Sequence, residues 1–324
     1  MDTTTQSTVH DVAIVGGGPA GLSAAVTLAR SLRSVVVLDA GEPRNAPAEG
    51  AHNLLGREGV PPRELLVAGR SEAEGYGAEV RDARVTHAAG DAETGFTLTL
   101  DDGTQVRARR VLLATGLVDE LPEVPGVREG WGSSVLHCPF CHGWEVRGQR
   151  IAVLATGPAA AHQVLLFRQL SPHVTLFQHT APELDDATWE QLSALGVRVV
   201  EGEVERLDVE GRSVRSVVLA DGTSFAVDAV VVGPRFVARG ELFEQFGGAL
   251  EEQPFGRFVP ADPRGQTAVP GVWAAGNSSD LMAQVGASAA AGVMAGAGIH
   301  GELALADAAA AVARRRTPSA AARA

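Results

Sequence analysis

Lysine is absent from the chain, tyrosine occurs once, and there are only two cysteines in 324 residues. All side chains of fixed positive charge are therefore arginine, a compositional bias from which no function follows. Positive charge is also outnumbered: the formal net charge is -12. That balance argues against nucleic acid or an anionic membrane as the main partner. No unbroken apolar run reaches the roughly 20 residues of a transmembrane helix. Met1 to Val9 is polar, without an apolar secretory core, so a cytoplasmic protein is expected. A reducing compartment in turn disfavours a permanent structural disulfide. What is present suits a buried α/β core, with 45% hydrophobic residues and length enough for two domains.

Both cysteines fall in one stretch, His137-Cys138-Pro139-Phe140-Cys141-His142-Gly143-Trp144. A structural disulfide gains most by closing a long loop of the unfolded chain, and this ring is short. Cys-x-x-Cys-His also spells a c-type haem attachment signature, and one Cys-x-x-Cys is half a zinc site. A second ligand pair is missing, so no metal site is expected. Reversible dithiol–disulfide chemistry is the reading that remains, provided that something nearby accepts electrons.

Asp11–Val15 reads as a buried strand, followed at once by Gly16-Gly17-Gly18-Pro19-Ala20-Gly21. A helical pattern runs from Pro19 to Leu32, and a second apolar strand, Val35 to Leu38, ends at Asp39. Strand, glycine turn, helix, strand and acid make up the dinucleotide-binding unit. Gly16 permits the tight turn, Gly18 lets a pyrophosphate approach the backbone, and Gly21 lets helix pack on sheet. Asp39 stands where a carboxylate binds a ribose hydroxyl pair. The long loop from Gly41 to Pro62 is expected to be functional. A helix is expected over Pro62 to Tyr76. Strands follow at Glu79 to Val85, Phe96 to Leu100, Gln105 to Arg109 and Val111 to Ala114, with a hairpin turn at Asp102-Gly103.

A second nucleotide-fold start follows the cysteines: Ile151 to Leu154, then Ala155-Thr156-Gly157-Pro158-Ala159-Ala160, a helix to Leu170, and a strand over Val174 to Phe177. Alanine replaces the first glycine, and Gln178-His179-Thr180 replaces the acid or arginine after the second strand. Both changes weaken the case for a bound nicotinamide dinucleotide. Gly271 to Asn277 is again strand then glycine, and Gln284 to Ile299 reads as a helix of small residues. Beyond Leu305 a helix end and a frayed tail are expected.

In this order these motifs resemble the low-molecular-weight thioredoxin reductase family over nearly the whole chain. The resemblance implies an α/β fold of two Rossmann-like, three-layer nucleotide-binding domains, the second inserted in the first. The implied boundaries are an FAD domain over 1–117 and 242–324 and a central NAD(P)H-like domain over 118–241 carrying Cys-x-x-Cys. It implies FAD as cofactor, with Gly16, Gly18, Pro19, Ala20, Gly21, Asp39, Asn53, Ala114, Thr115, Gly116, Gly276, Asn277 and Gln284 at the flavin motifs. Asn277 departs from the family's aspartate, although an amide can still hydrogen-bond the ribityl chain. A homodimer is implied as well.

The stretch Cys-Pro-Phe-Cys-His-Gly looks like the branch of FAD dithiol oxidases that close disulfides in small natural products of the gliotoxin and holomycin type. That branch implies a small-molecule dithiol substrate, with O2 as final acceptor. Cys138 would be the interchange sulfur and Cys141 the sulfur nearer the flavin. His142 suits the base that makes thiolates near neutral pH, with His137 a weaker candidate. Trp144 is expected to pack. Two other readings stay open: a disulfide reductase fed by NADPH or ferredoxin, and a flavoprotein redox sensor acting on a protein partner.

Overall fold

Valine-rich runs form the inner, parallel strands of two separate sheets, each in its own compact unit. The computed structural model describes residues 8–157 and 159–316. The readings of the polar start before Thr8, of Pro158 and of the tail beyond Arg316 lie outside these residues. The first unit comprises Met1–Pro43, Glu64–Leu117 and Ala238–Ala324, and the second comprises Arg44–Arg63 and Val118–Val237. Residues 44–63, which the sequence places within 1–117, thus fall in the second unit.

In the first unit the sheet order is Glu79–Asp82, Val35–Asp39, Val9–Val15, Gln105–Leu113, Gly95–Leu100, Val85–Asp91, and Val272–Ala274 also pairs with Gln105–Leu113. The strands around Val9–Val15 are parallel, with Val12 opposite both Val35 and Arg110. Strands buried on both faces read as continuous apolar runs, as Val35–Asp39 does. The two strands at the other edge are antiparallel, and the Asp102-Gly103 turn is closed by the Gly103 N–H donating to the Leu100 carbonyl at 3.0 Å. One face carries the helix Pro19–Arg30 and the long helix Val285–Arg316, with Leu28, Ile299 and Leu303 in the shared core. The helices meet closely: a Cβ on Gly292 would strike the Ala20 carbonyl.

Three elements differ from expectation. Gln105–Leu113 is one strand, because Arg110, which breaks its apolar run, is buried and donates to Glu302 at 2.6 Å. Glu79–Asp82 and Val85–Asp91 are two strands, not one. The last helix continues to Arg316, since alanine favours helix and three terminal arginines suit the dipole. At 32 residues, with mean hydropathy 1.2 over its apolar window, it is long and apolar enough to cross a membrane by length and composition. Its glycines, with His300, Glu302 and Asp307, interrupt every apolar run.

The second unit holds a five-stranded parallel sheet, in the order Arg198–Val200, Val174–Phe177, Ile151–Leu154, Ala229–Val232, Val135–Leu136. Helix Asp186–Ala194, not anticipated, is capped by Asp185, which accepts from the Thr188 N–H at 2.7 Å. An antiparallel sheet of Val204–Glu210, Ser213–Leu219 and Ser224–Ala226 completes it, with the Asp221-Gly222 turn joining the last two strands. The edge strand Val135–Leu136 leads directly into the cysteines.

Candidate redox and nucleotide sites

Leaving the edge strand, the chain makes one short helix, Pro139–His142. Cys138 is its cap in extended conformation, and its carbonyl accepts from the N–H of Cys141 at 3.3 Å and of His142 at 3.1 Å. Spacings of three and four residues put Cys138, Cys141 and His142 on one face of that turn. Gly143 is required here, because a Cβ would meet the Pro139 carbonyl. Neither cysteine is in a disulfide; Cys141 is exposed and Cys138 half-buried.

The thiols share one proton unequally. A hydrogen bond from the Cys141 thiol, aided by the backbone N–H groups of Cys141 and Phe140, lowers Cys138 to about 7. The same bond holds the Cys141 proton in place and pushes that thiol up. Burial lowers the His142 imidazole, with Glu145 pulling it back, so its neutral, proton-accepting form prevails at pH 7. His142 makes no side-chain hydrogen bond among the described residues and is free to exchange protons.

His137 has a different role. Its Nδ1 lies 3.0 Å from the Val232 carbonyl, its ring sits edge-on to Phe236 at 5.2 Å, and burial lowers it. Trp144 does not pack in a core: it is 66% exposed, with the Arg147 guanidinium over its ring at 3.9 Å. Sequence reasoning missed the loop 44–63 as part of this site. Asn53, in the left-handed region at φ 60°, donates Nδ2 to the Phe140 carbonyl at 2.7 Å, between the two cysteines. Glu58 anchors that loop segment, accepting from the Asn53 N–H at 2.9 Å and meeting His52 Nδ1 at 2.7 Å.

The first unit gathers the other predicted residues. Gly16 takes φ 106°, and a Cβ there would strike the Ala114 carbonyl. Asp39 accepts from the Gly17 N–H at 3.0 Å, and a Cβ on Gly18 would face open space. No acceptor among the described residues reaches the N–H groups of Gly18, Ala20 or Gly21, and Pro19 opens a helix with no acid in its first turn. That cradle fits the pyrophosphate of a dinucleotide. Gly116 turns at φ 70° beside open space, while Thr115 Oγ1 donates to the Arg239 carbonyl at 2.8 Å. Gly276 turns at φ 73° against Ala20, and the Gln284 carbonyl accepts from Ser288 N–H at 2.8 Å at the start of the long helix. Asn277 directs its amide nitrogen to the carbonyls of Asp280 and Ala283, both at 2.9 Å. It braces its own loop, where an aspartate could not donate.

Residues 10–309 match the Pyridine nucleotide-disulphide oxidoreductase family. The chain belongs to that family. Thioredoxin reductase tcpT of Claviceps purpurea is 33% identical over 300 residues, which span 86% of this chain and 89% of the relative. Thioredoxin reductase aclD of Aspergillus oryzae is 34% identical over 314 residues, spanning 91% and 97%. The solved structure of HlmI superposes with TM-score 0.88 at 44% identity, covering 94% of this chain and 96% of that one. This pyridine nucleotide-disulphide oxidoreductase is thus an enzyme of thiol–disulfide redox chemistry, with two Rossmann-like α/β domains and a flavoprotein family behind it.

The pyridine nucleotide of the family's name does not fit the second unit. A crevice of about 570 Å³ lies past the carboxyl ends of Ile151–Leu154 and Val174–Phe177, lined in part by Thr156, His179, Glu123, Glu203 and Glu205. No arginine lines it among the described residues, and burial lowers His179, whose Nδ1 accepts from the Val204 N–H at 3.0 Å. Three carboxylates would repel a pyrophosphate, and a neutral imidazole brings no charge to offset them. The glycine turn is also altered. Ala155 donates its N–H to the Phe177 carbonyl just as Gly16 donates to Leu38, but it is 2% exposed and outside the left-handed region.

Proposed function

We propose that this chain is an FAD-dependent dithiol oxidase that closes a small-molecule dithiol into a cyclic disulfide, with O2 as the final electron acceptor. The observation that carries the reading is the ionisable Cys138–Cys141 pair in a unit whose nucleotide crevice is lined by carboxylates. In the oxidised enzyme a substrate thiolate attacks the Cys138 sulfur, forming a mixed disulfide and releasing the Cys141 thiolate. The second substrate thiol then displaces Cys138 from the mixed disulfide, so that the substrate leaves as a cyclic disulfide and the enzyme keeps two electrons. His142, neutral at pH 7, accepts the substrate thiol protons.

Gly16, Gly18, Pro19, Ala20, Gly21 and Asp39 would hold the adenosine diphosphate end of FAD. Ala114, Thr115, Gly116, Gly276, Asn277 and Gln284 would surround the rest. Bound FAD supplies the two-electron acceptor that returns the thiols to the disulfide. Asn53 belongs to the cysteine turn by its Phe140 hydrogen bond, and we assign it to positioning that turn. A cytoplasmic homodimer in natural-product biosynthesis is part of the same proposal.

The names of the relatives favour a second reading, a disulfide reductase. Anaerobic mixing separates the two. A small dithiol should bleach the flavin band within the turnover time, and NADPH should leave it intact. Rapid bleaching by NADPH, with no response to dithiols, would establish the reductase.

A further inference from the structure

Behind the dicysteine turn, within the second unit, lies a charge pair that no motif announces. Arg44 donates Nε to Asp119 at 2.9 Å and Nη2 to its other carboxylate oxygen at 2.6 Å. The pair is set back from solvent, the side chains being 29% and 9% exposed. The same guanidinium lies over the Phe236 ring, 5.0 Å from its centroid. His137 contacts that ring edge-on at 5.2 Å and is fixed by the Val232 carbonyl. Arg44, Phe236 and His137 therefore form a column of successive contacts that ends on the residue before Cys138.

A bidentate pair of this kind could be no more than a clasp for loop 44–63. The distribution of charge says otherwise. His137 feels both partners, the Arg44 cation more than the Asp119 carboxylate, whereas at the two thiols it is the Arg44 cation that acts, a small pull toward the ionised form beside their mutual hydrogen bond. The pair thus presents its positive side to the sulfurs, in a setting where salt screens poorly. The charged groups acting on His142 are different ones, Glu145, His52, Glu49 and Arg212.

We propose that Arg44 is an electrostatic positioning residue for the dicysteine pair, its cation stabilising the reduced Cys138 thiolate and Asp119 moderating that effect. In the step concerned, the Cys138–Cys141 bond accepts two electrons from a dithiol and one proton, giving the Cys138 thiolate and the Cys141 thiol. Stabilising the reduced form makes the disulfide a stronger oxidant, which suits an enzyme that draws electrons from dithiols. The inference rests on the pair being the redox centre and is independent of the substrate's identity.

The test compares Arg44→Gln, Arg44→Lys and Asp119→Asn. Reduced protein is alkylated with iodoacetamide from about pH 5 to about pH 10, and Cys138 modification is read by mass spectrometry. Arg44→Gln should move the Cys138 midpoint upward and slow alkylation near pH 6 by about fivefold, converging with the parent at high pH. Arg44→Lys should restore most of the rate. Asp119→Asn should move the midpoint downward. Arg44→Gln and Asp119→Asn break the same ion pair, so a mere clasp would shift both in one direction or neither; either result overturns the proposal. Equilibration with glutathione gives a second readout, in which Arg44→Gln should become less oxidising and Asp119→Asn more so. A pair that never forms a disulfide there would sink the redox reading itself, while the alkylation profiles would still judge Arg44.

Discussion

A cysteine at the start of the turn Pro139–His142 differs from one inside it, because it collects the free N–H groups and its neighbour's thiol proton. Cys138 is the sulfur that ionises near neutral pH, and Cys141 is the exposed one that keeps its proton. Cys138→Ser should abolish turnover in an oxygen-uptake assay while leaving a bound flavin, since the sulfur makes no structural bond. Loss of flavin in that variant would assign it to the fold. His142 is held below the usual histidine range by burial, so it is deprotonated, and able to act as base, above that lowered value. The rate should fall as pH drops through it. In His142→Ala the neutral-pH loss should be on the order of 10²–10⁴-fold and shrink toward about pH 8.5, where thiols ionise unaided. A loss equally deep at every pH would leave His142 a positioning role only.

At the scale of elements, the approach of Pro19–Arg30 to Val285–Arg316 sets the nucleotide cradle. Gly292 admits the Ala20 carbonyl, and a Cβ on Gly276 would come within 2.9 Å of the Ala20 methyl. Gly292→Ala should force the helices apart, costing about 1–3 kcal/mol in denaturant unfolding and weakening flavin retention on dialysis. Gly301, in the same helix, meets nothing within 4 Å where a Cβ would stand. Gly301→Ala should instead stabilise by about 0.5–1 kcal/mol, by helix propensity and a less flexible unfolded chain. If the two substitutions acted alike, close packing at Gly292 would be irrelevant.

For the whole molecule, two nucleotide folds sit in one chain, and their fitness for ligand differs. The first keeps a left-handed Gly16 and N–H groups that no acceptor among the described residues reaches, while the second has a buried Ala155 and carboxylates around its crevice. Stopped-flow mixing with NADPH at millimolar concentration should therefore leave the flavin oxidised for minutes. Replacing Glu203 and Glu205 by glutamine should not by itself create reduction, because the glycine turn remains altered. Efficient reduction of the parent protein by NADPH would overturn the reading of that crevice.

Local features were legible from residues alone. The strand–Gly16–helix–Asp39 unit, the Asp102-Gly103 hairpin and the dicysteine turn each depend on spacings of a few residues, where φ/ψ preference and helical or strand period decide the outcome. The single strand Gln105–Leu113 escaped because Arg110 finds Glu302, 192 residues away. Loop 44–63 escaped because no local pattern says which unit an irregular segment joins; that depends on Asn53 reaching Phe140 and Arg44 reaching Asp119. The acidic crevice likewise draws Glu123, Glu203 and Glu205 from separated segments. Order along the chain was enough for the cysteine chemistry and the nucleotide turn. What surrounds the sulfurs, and therefore their charge, came only from contacts that folding makes between residues far apart in sequence.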